Sequence, residues 1–244
     1  MRDFFMGVST PGAIAWETLP TYNTIMSIAV GAGLVALVLF NRAVRKDGKE
    51  ISLDGWALTF GVLGFILTAT GLHMTLTWPL APDFAFDNVI FGETSLAFGV
   101  LMLAAALYLW RRQDKILESD NMSRTIAQTL KPASIFIVGL GLALFAIALA
   151  GIVYQLFAAP PQEPISGYFG AWPILEATFM GILFAMVGLG AILMPIANNK
   201  VARGEEAGTL GTWVHWLWLI AGVIFVLFGA MNFYTHIGLI VNTM

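Results

Sequence analysis

Residues Gly64–Gly99 read GFILTATGLHMTLTWPLAPDFAFDNVIFGETSLAFG. An apolar run stops at a short break over Trp78–Pro82, and a second apolar run follows. His73 stands just before the break and Glu93 just after it. Extended along the chain, each run reaches the roughly 20 residues that cross about 30 Å of hydrocarbon as a helix. The break therefore reads as a hairpin between two membrane helices, with His73 and Glu93 just under the membrane surface.

Composition supports that reading. Hydrophobic residues make up 58% of the 244-residue chain and charged ones 11%. A soluble domain carries about 25% charged residues. Mean hydropathy is +0.81. The runs are unbroken and rich in Leu, Gly and Ala, unlike the roughly 10-residue alternation of a membrane β-barrel. The expectation is an all-α polytopic bundle forming one integral membrane domain over residues 1–244. Six spans are expected near 21–41, 55–77, 88–110, 132–158, 171–197 and 212–236. The N-terminal stretch MRDFFMGVSTPGAIAWETLP lacks the uninterrupted apolar core of a signal peptide.

Charge placement orients the spans. Arg42, Arg45, Lys46 and Lys49 follow the first span, and Arg111, Arg112, Lys115, Arg124 and Lys131 follow the third. Lys200 and Arg203 follow the fifth, so of the 12 basic residues only Arg2 falls on the other side. By the positive-inside rule the odd connectors face the cytoplasm of a cell-membrane protein, with both termini outside. Trp16, Trp78 and Trp172 fall at outer boundaries and Trp56, Trp110, Trp213 and Trp216 at inner ones, the depth that indole rings prefer. The charged connector Gln113–Lys131 reads as a solvated turn or short interfacial helix.

Some chemistries are excluded. The chain has no cysteine, so disulfides, thiolate metal sites and cysteine nucleophiles are ruled out. No basic patch combines with exposed aromatics, which leaves nucleic-acid binding without support. There is no phosphate loop, nucleophile elbow or His-Glu-x-x-His motif.

The sequence carries a weak internal repeat. Gly64–Gly71 resembles Leu144–Gly151, and the Gly-x6-Gly spacing recurs at Gly222–Gly229. Asn88–Thr94 resembles Ala171–Thr178, which matches Glu93 with Glu176. Two related outward hairpins follow, each with a carboxylate early in its second helix. Frequent Gly and Ala at spacings of three, four and seven suit close helix packing.

Four ionisable residues fall inside the expected spans at similar depth. At 1.5 Å per residue, His73 lies roughly 5 Å, and Glu93 and Glu176 about 7 Å, inside their helix ends. His236 falls at the outer boundary, with Asn232 one turn earlier on the same face. A charge at membrane depth costs about 2.5–3.5 kcal/mol on insertion scales, so such carboxylates are expected to be neutral, proton-sharing or cation-bound. Two imidazoles and two carboxylates suit Zn, Cu, Fe or Mn, and His73, Glu93, Glu176 and His236 are the candidate metal ligands. A b-type haem between His73 and His236 is a rival, but it leaves both carboxylates unexplained and offers its propionates only Arg2. A dinuclear carboxylate centre lacks its Glu-x-x-His pairs, since Leu96 and Phe179 occupy those positions. A single membrane Glu is as readily a protonated packing residue, and a lone His near a helix end is more often interfacial. His215, among Trp213, Trp216 and Trp218, is read that way.

The run GLHMTLTWPL…FDNVIFGETSLAFGVLMLAAALYLW and the ending NFYTHIGL resemble the multi-pass membrane proteins catalogued as domain of unknown function 981. The resemblance covers most of the chain. It implies a multi-pass membrane protein and supplies no activity, cofactor or catalytic residue. The functional expectation is an integral membrane metalloprotein for redox chemistry or metal handling. The alternatives are a proton- or cation-coupled transporter, a b-type haem protein, or a non-catalytic subunit of a larger complex or homo-oligomer. Whether it is an enzyme is not legible.

Overall fold

Ser52 starts the first half of the hairpin by accepting a hydrogen bond from Gly55 N at 3.2 Å, the usual way a serine satisfies a free amide at a helix start. Trp78 ends it in the left-handed conformation, φ 48°, and Pro79 follows. The computed structural model describes residues 1–16, 22–46 and 48–244. Its helices are α1 (Arg2–Met6), α2 (Asn23–Lys46), α3 (Leu53–Thr77), α4 (Ala81–Asp87), α5 (Thr94–Leu117), α6 (Met122–Leu130), α7 (Ser134–Tyr154), α8 (Pro173–Ala202) and α9 (Gly208–Thr243). A π-helical stretch, Asn88–Glu93, joins α4 to α5. No strand occurs among the described residues.

Among the described residues six helices are long and apolar enough to cross a membrane, which places the protein in a lipid environment. Their perimeter is apolar as well: Leu58, Phe65, Leu76, Leu149 and Leu227 are all exposed. The spans fall near the expected ones, with shifted ends. Thr21, the expected start of the first span, lies outside the described residues. The last helix runs past His236 to Thr243. The expected charged connector contains α6, which Asn121 caps by accepting from Arg124 N at 2.9 Å. Asn198 Nδ2 donates to Ala127 O at 2.9 Å, which fastens α6 to α8.

The helices pack as three close pairs, α3 with α5, α7 with α8, and α9 with α2. Glycine sets each approach. A Cβ on Gly64 would lie 2.9 Å from Gly99 O, one on Gly141 2.8 Å from Gly188 O, and one on Gly222 2.8 Å from Gly31 O. Such contacts leave no room for a side chain, and lipid-embedded helices use them to gain dispersion contact. The pairs join into a ring in the order α5, α3, α2, α9, α8, α7, with α5 and α7 meeting most loosely.

These contacts fix the register of the repeat. Gly64, Gly141 and Gly222 are equivalent, and so are Gly99, Gly188 and Gly31. The left-handed caps confirm it independently. Trp78 (φ 48°) follows Gly64 at the same remove as Gln155 (φ 55°) follows Gly141. The equivalent residue on α9 is His236, where the helix simply continues. The sequence match of Leu144–Gly151 to Gly64–Gly71 is therefore three residues out of step. The carboxylate pairing changes as well. Asp87 precedes Gly92 by the same distance as Glu176 precedes Gly181, whereas Glu93 corresponds to Ile182. The third pair differs because it joins the last helix to the first. Its partners are tied by the N-terminal segment: Thr10 N donates to Asn242 O and Gly12 N to Thr243 O, each at 2.7 Å.

Candidate functional site

A ring of paired helices encloses space along its axis. Here that space is a cavity of about 690 Å³ lined by residues from all six spanning helices. Its middle is apolar, with Leu34, Val38, Phe98 and Leu144 among its walls. Two ends can be distinguished. At the end that carries both termini, Asn23, Asp87, Glu163, Glu176, Asn232 and His236 line it. At the far end, Asn41, Tyr108, Asn198 and His215 do. No lysine or arginine lines the cavity among the described residues.

Glu163 comes from the connector between α7 and α8, which folds back into the bundle. A turn closed by Glu163 N to Pro160 O at 2.9 Å and Gly167 N to Glu163 O at 3.0 Å holds it there. Pro164 packs against Gly238 of α9, where a Cβ would collide with it. The carboxylate is 7% exposed. Thr235 Oγ1 donates to its Oε1 at 2.7 Å, and Ser166 also hydrogen-bonds it. Burial pushes the Glu163 carboxyl up from its ordinary value, and the two hydroxyl donors oppose that shift. His236 Nε2 lies 3.8 Å from Glu163 Oε1, too long for a hydrogen bond.

Glu176 sits in the first turn of α8, where helix amides favour a carboxylate. Its Oε2 accepts from Ala159 N at 2.7 Å, which anchors the same connector. Asp87, at the end of α4, faces the cavity from the opposite hairpin. Below this layer Phe91, Phe157, Phe184 and Phe225 form an aromatic cluster, with Phe157 stacked on Phe184 at 5.8 Å.

The N-terminal segment covers this end. Ile165 N donates to Phe4 O at 2.6 Å and Val8 N to Pro161 O at 3.0 Å. Tyr234 Oη donates to Phe5 O at 2.9 Å, and Trp16 Nε1 to Thr243 Oγ1 at 2.8 Å.

The structure brings together only part of the expected four-residue layer. Glu176 and His236 line the cavity. His73 is exposed and pairs with Tyr22, Oη to Nδ1 at 2.6 Å, and Glu93 is exposed on the perimeter. Neither lines the cavity. The reason is angular. The small face of α3, which carries Gly64, Gly71 and Met74, turns towards its partner helix, and His73 points away from it. Glu93 likewise follows Gly92, which packs against Met74. No group of three or more His, Asp or Glu residues is placed to hold a metal ion among the described residues. Of the two histidines expected to flank a haem, His236 lines the cavity and His73 does not. Asp87 and Glu163 were missed. The Asp87-to-Gly92 spacing, repeated as Glu176-to-Gly181, is the signal that could have found the first. Nothing in the sequence shows that the Glu163 connector re-enters the bundle.

A family model described as "Protein of unknown function (DUF981)" matches residues 20–238, so the chain belongs to that family. No curated protein and no solved structure matches it.

Proposed function

We propose that this member of the DUF981 family is a proton- or cation-coupled membrane carrier with its coupling site at the termini end of the central cavity. One observation supports the reading most: Asp87, Glu163 and Glu176 meet one interior cavity that no lysine or arginine among the described residues lines. Intramembrane carboxylates that face an interior cavity commonly mark ion and proton pathways. Burial pushes the Glu163 carboxyl up from its ordinary value, which suits a group that exchanges protons with the cavity. The ring of related helix pairs supplies bodies that can move against one another around a fixed site, as repeat-built carriers do. The charge asymmetry of the connectors, if it follows the positive-inside rule, sets this site at the cell exterior.

The test is current measurement on proteoliposomes adsorbed to a solid support, on rapid jumps of sodium, potassium, ammonium or guanidinium. We expect a protein-dependent current with at least one of them, reduced tenfold or more by Glu176→Gln and by Asp87→Asn. No current above protein-free liposomes with any of the four would overturn the reading. The geometry gives less support to a resident transition metal or haem. Elemental analysis and the absorption spectrum of purified protein decide both.

A further inference from the structure

The unsatisfied groups at the termini end of the cavity share one chemical sense. Asn232 is 8% exposed and lines the cavity, yet its Oδ1 has no hydrogen-bond partner. His236 Nδ1 and Asn23 Oδ1 are also buried without partners, on residues that line the same cavity. Both amide oxygens are acceptors, and the carboxylates beside them add acceptor oxygens. A buried polar atom left unpaired is costly, and each such atom calls for an explanation. Three such atoms, one on α2 and two a turn apart on α9, belong to residues that line the same space. What satisfies them together is a group that brings several N–H donors and positive charge. Beneath them the cavity is walled by Leu34, Val38, Leu144 and Phe184, against which an apolar body packs favourably.

We infer that the cavity binds an organic ammonium compound: a primary amine at the Asn232–Glu176 end, with a compact hydrocarbon body lying along the bundle axis. The inference rests on the carrier reading only for its biological use, since binding itself needs no transport. Neither donor-free cations nor neutral alcohols of the same shape meet the demand. A quaternary ammonium carries charge without N–H groups, and an alcohol carries one donor without charge.

The probe is radiolabelled 1-adamantylamine, bound to the protein in nanodiscs at neutral pH, with empty nanodiscs subtracted. Its matched controls are 1-adamantanol and the N,N,N-trimethyl derivative of the amine. We expect the amine to bind at least tenfold more tightly than the alcohol and at least fivefold more tightly than the trimethyl compound. Asn232→Ala and Glu176→Gln should each weaken amine binding fivefold or more and leave the alcohol unchanged, which also reports that the variants fold. Equal affinity for amine and alcohol, or amine binding untouched by Asn232→Ala, would overturn the assignment. Amine binding without any cation-driven current sinks the carrier reading and leaves this one standing. Currents without amine selectivity do the reverse.

Discussion

Glu163 and Thr235 show how one pair of side chains can set a site inside apolar surroundings. The connector carries Glu163 inward, and Thr235, fully buried on α9, meets it at 2.7 Å. Because burial raises the Glu163 carboxyl, the folded protein keeps a proton that the unfolded chain releases in the ordinary carboxylate range. Stability from this group is therefore complete at pH below that range and falls as pH rises through the raised folded value. Gln at this position cannot titrate and still accepts from Thr235. Thermal melts in detergent should show Glu163→Gln melting near the wild type at pH 4 and above it at pH 8, at roughly 2–4 °C per kcal/mol relieved. A wild-type melting temperature no lower at pH 8 relative to the glutamine variant counts against a buried proton at Glu163. The sequence reading groups His236 with His73, Glu93 and Glu176, and the structure brings His236 Nε2 within 3.8 Å of Glu163 Oε1. The residue types were legible, but the partner was not, because it comes from a connector.

At the scale of elements, glycine placement decides which helices pair. Gly222 and Gly31 each occupy the surface that the other's carbonyl needs. A methyl at Gly222 would sit 2.8 Å from Gly31 O, against backbone that cannot step aside. Gly222→Ala should therefore lower the melting temperature, at a cost of about 1–3 kcal/mol for forced overpacking. Gly139→Ala is the control, because a Cβ there meets nothing within 4 Å. Equal melting of the two variants would mean that the close pairs are not held by glycine contact. The Gly-x6-Gly spacing was visible in the chain, and its recurrence at Gly222–Gly229 is in register with Gly64–Gly71. Its third instance was misaligned because Ala148 stands where the other two helices have glycine. Apolar residues on either side of a missing glycine match in several registers equally well, whereas backbone contact allows one.

For the whole molecule, the ring closes without a covalent link between its last and first helices. The N-terminal segment does this work by hydrogen bonding across α9 and the α7–α8 connector. The termini thus share one end, and the basic connectors share the other. If the positive-inside rule governs this chain, that second end faces the cytoplasm. The absence of cysteine makes the test clean. Asp120→Cys, in the connector before α6, should react with a membrane-impermeant maleimide only after intact cells are opened. Thr10→Cys should react from outside, and the reverse pattern inverts the orientation.

Length, hydropathy and charge asymmetry along the chain were enough to determine the class of this protein. Backbone polar groups in lipid must be paired within each segment, and only helices of this length do that for apolar runs. The family texture added no chemistry to that class. Which polar residues share a pocket was settled by tertiary structure alone. One residue along a helix turns a side chain by about 100°, so Asp87 and Glu176 reach the interior while Glu93 and His73 look out. Depth can be read from a run of letters. Azimuth depends on which neighbour each helix leans against, and here glycine contacts between distant segments make that choice.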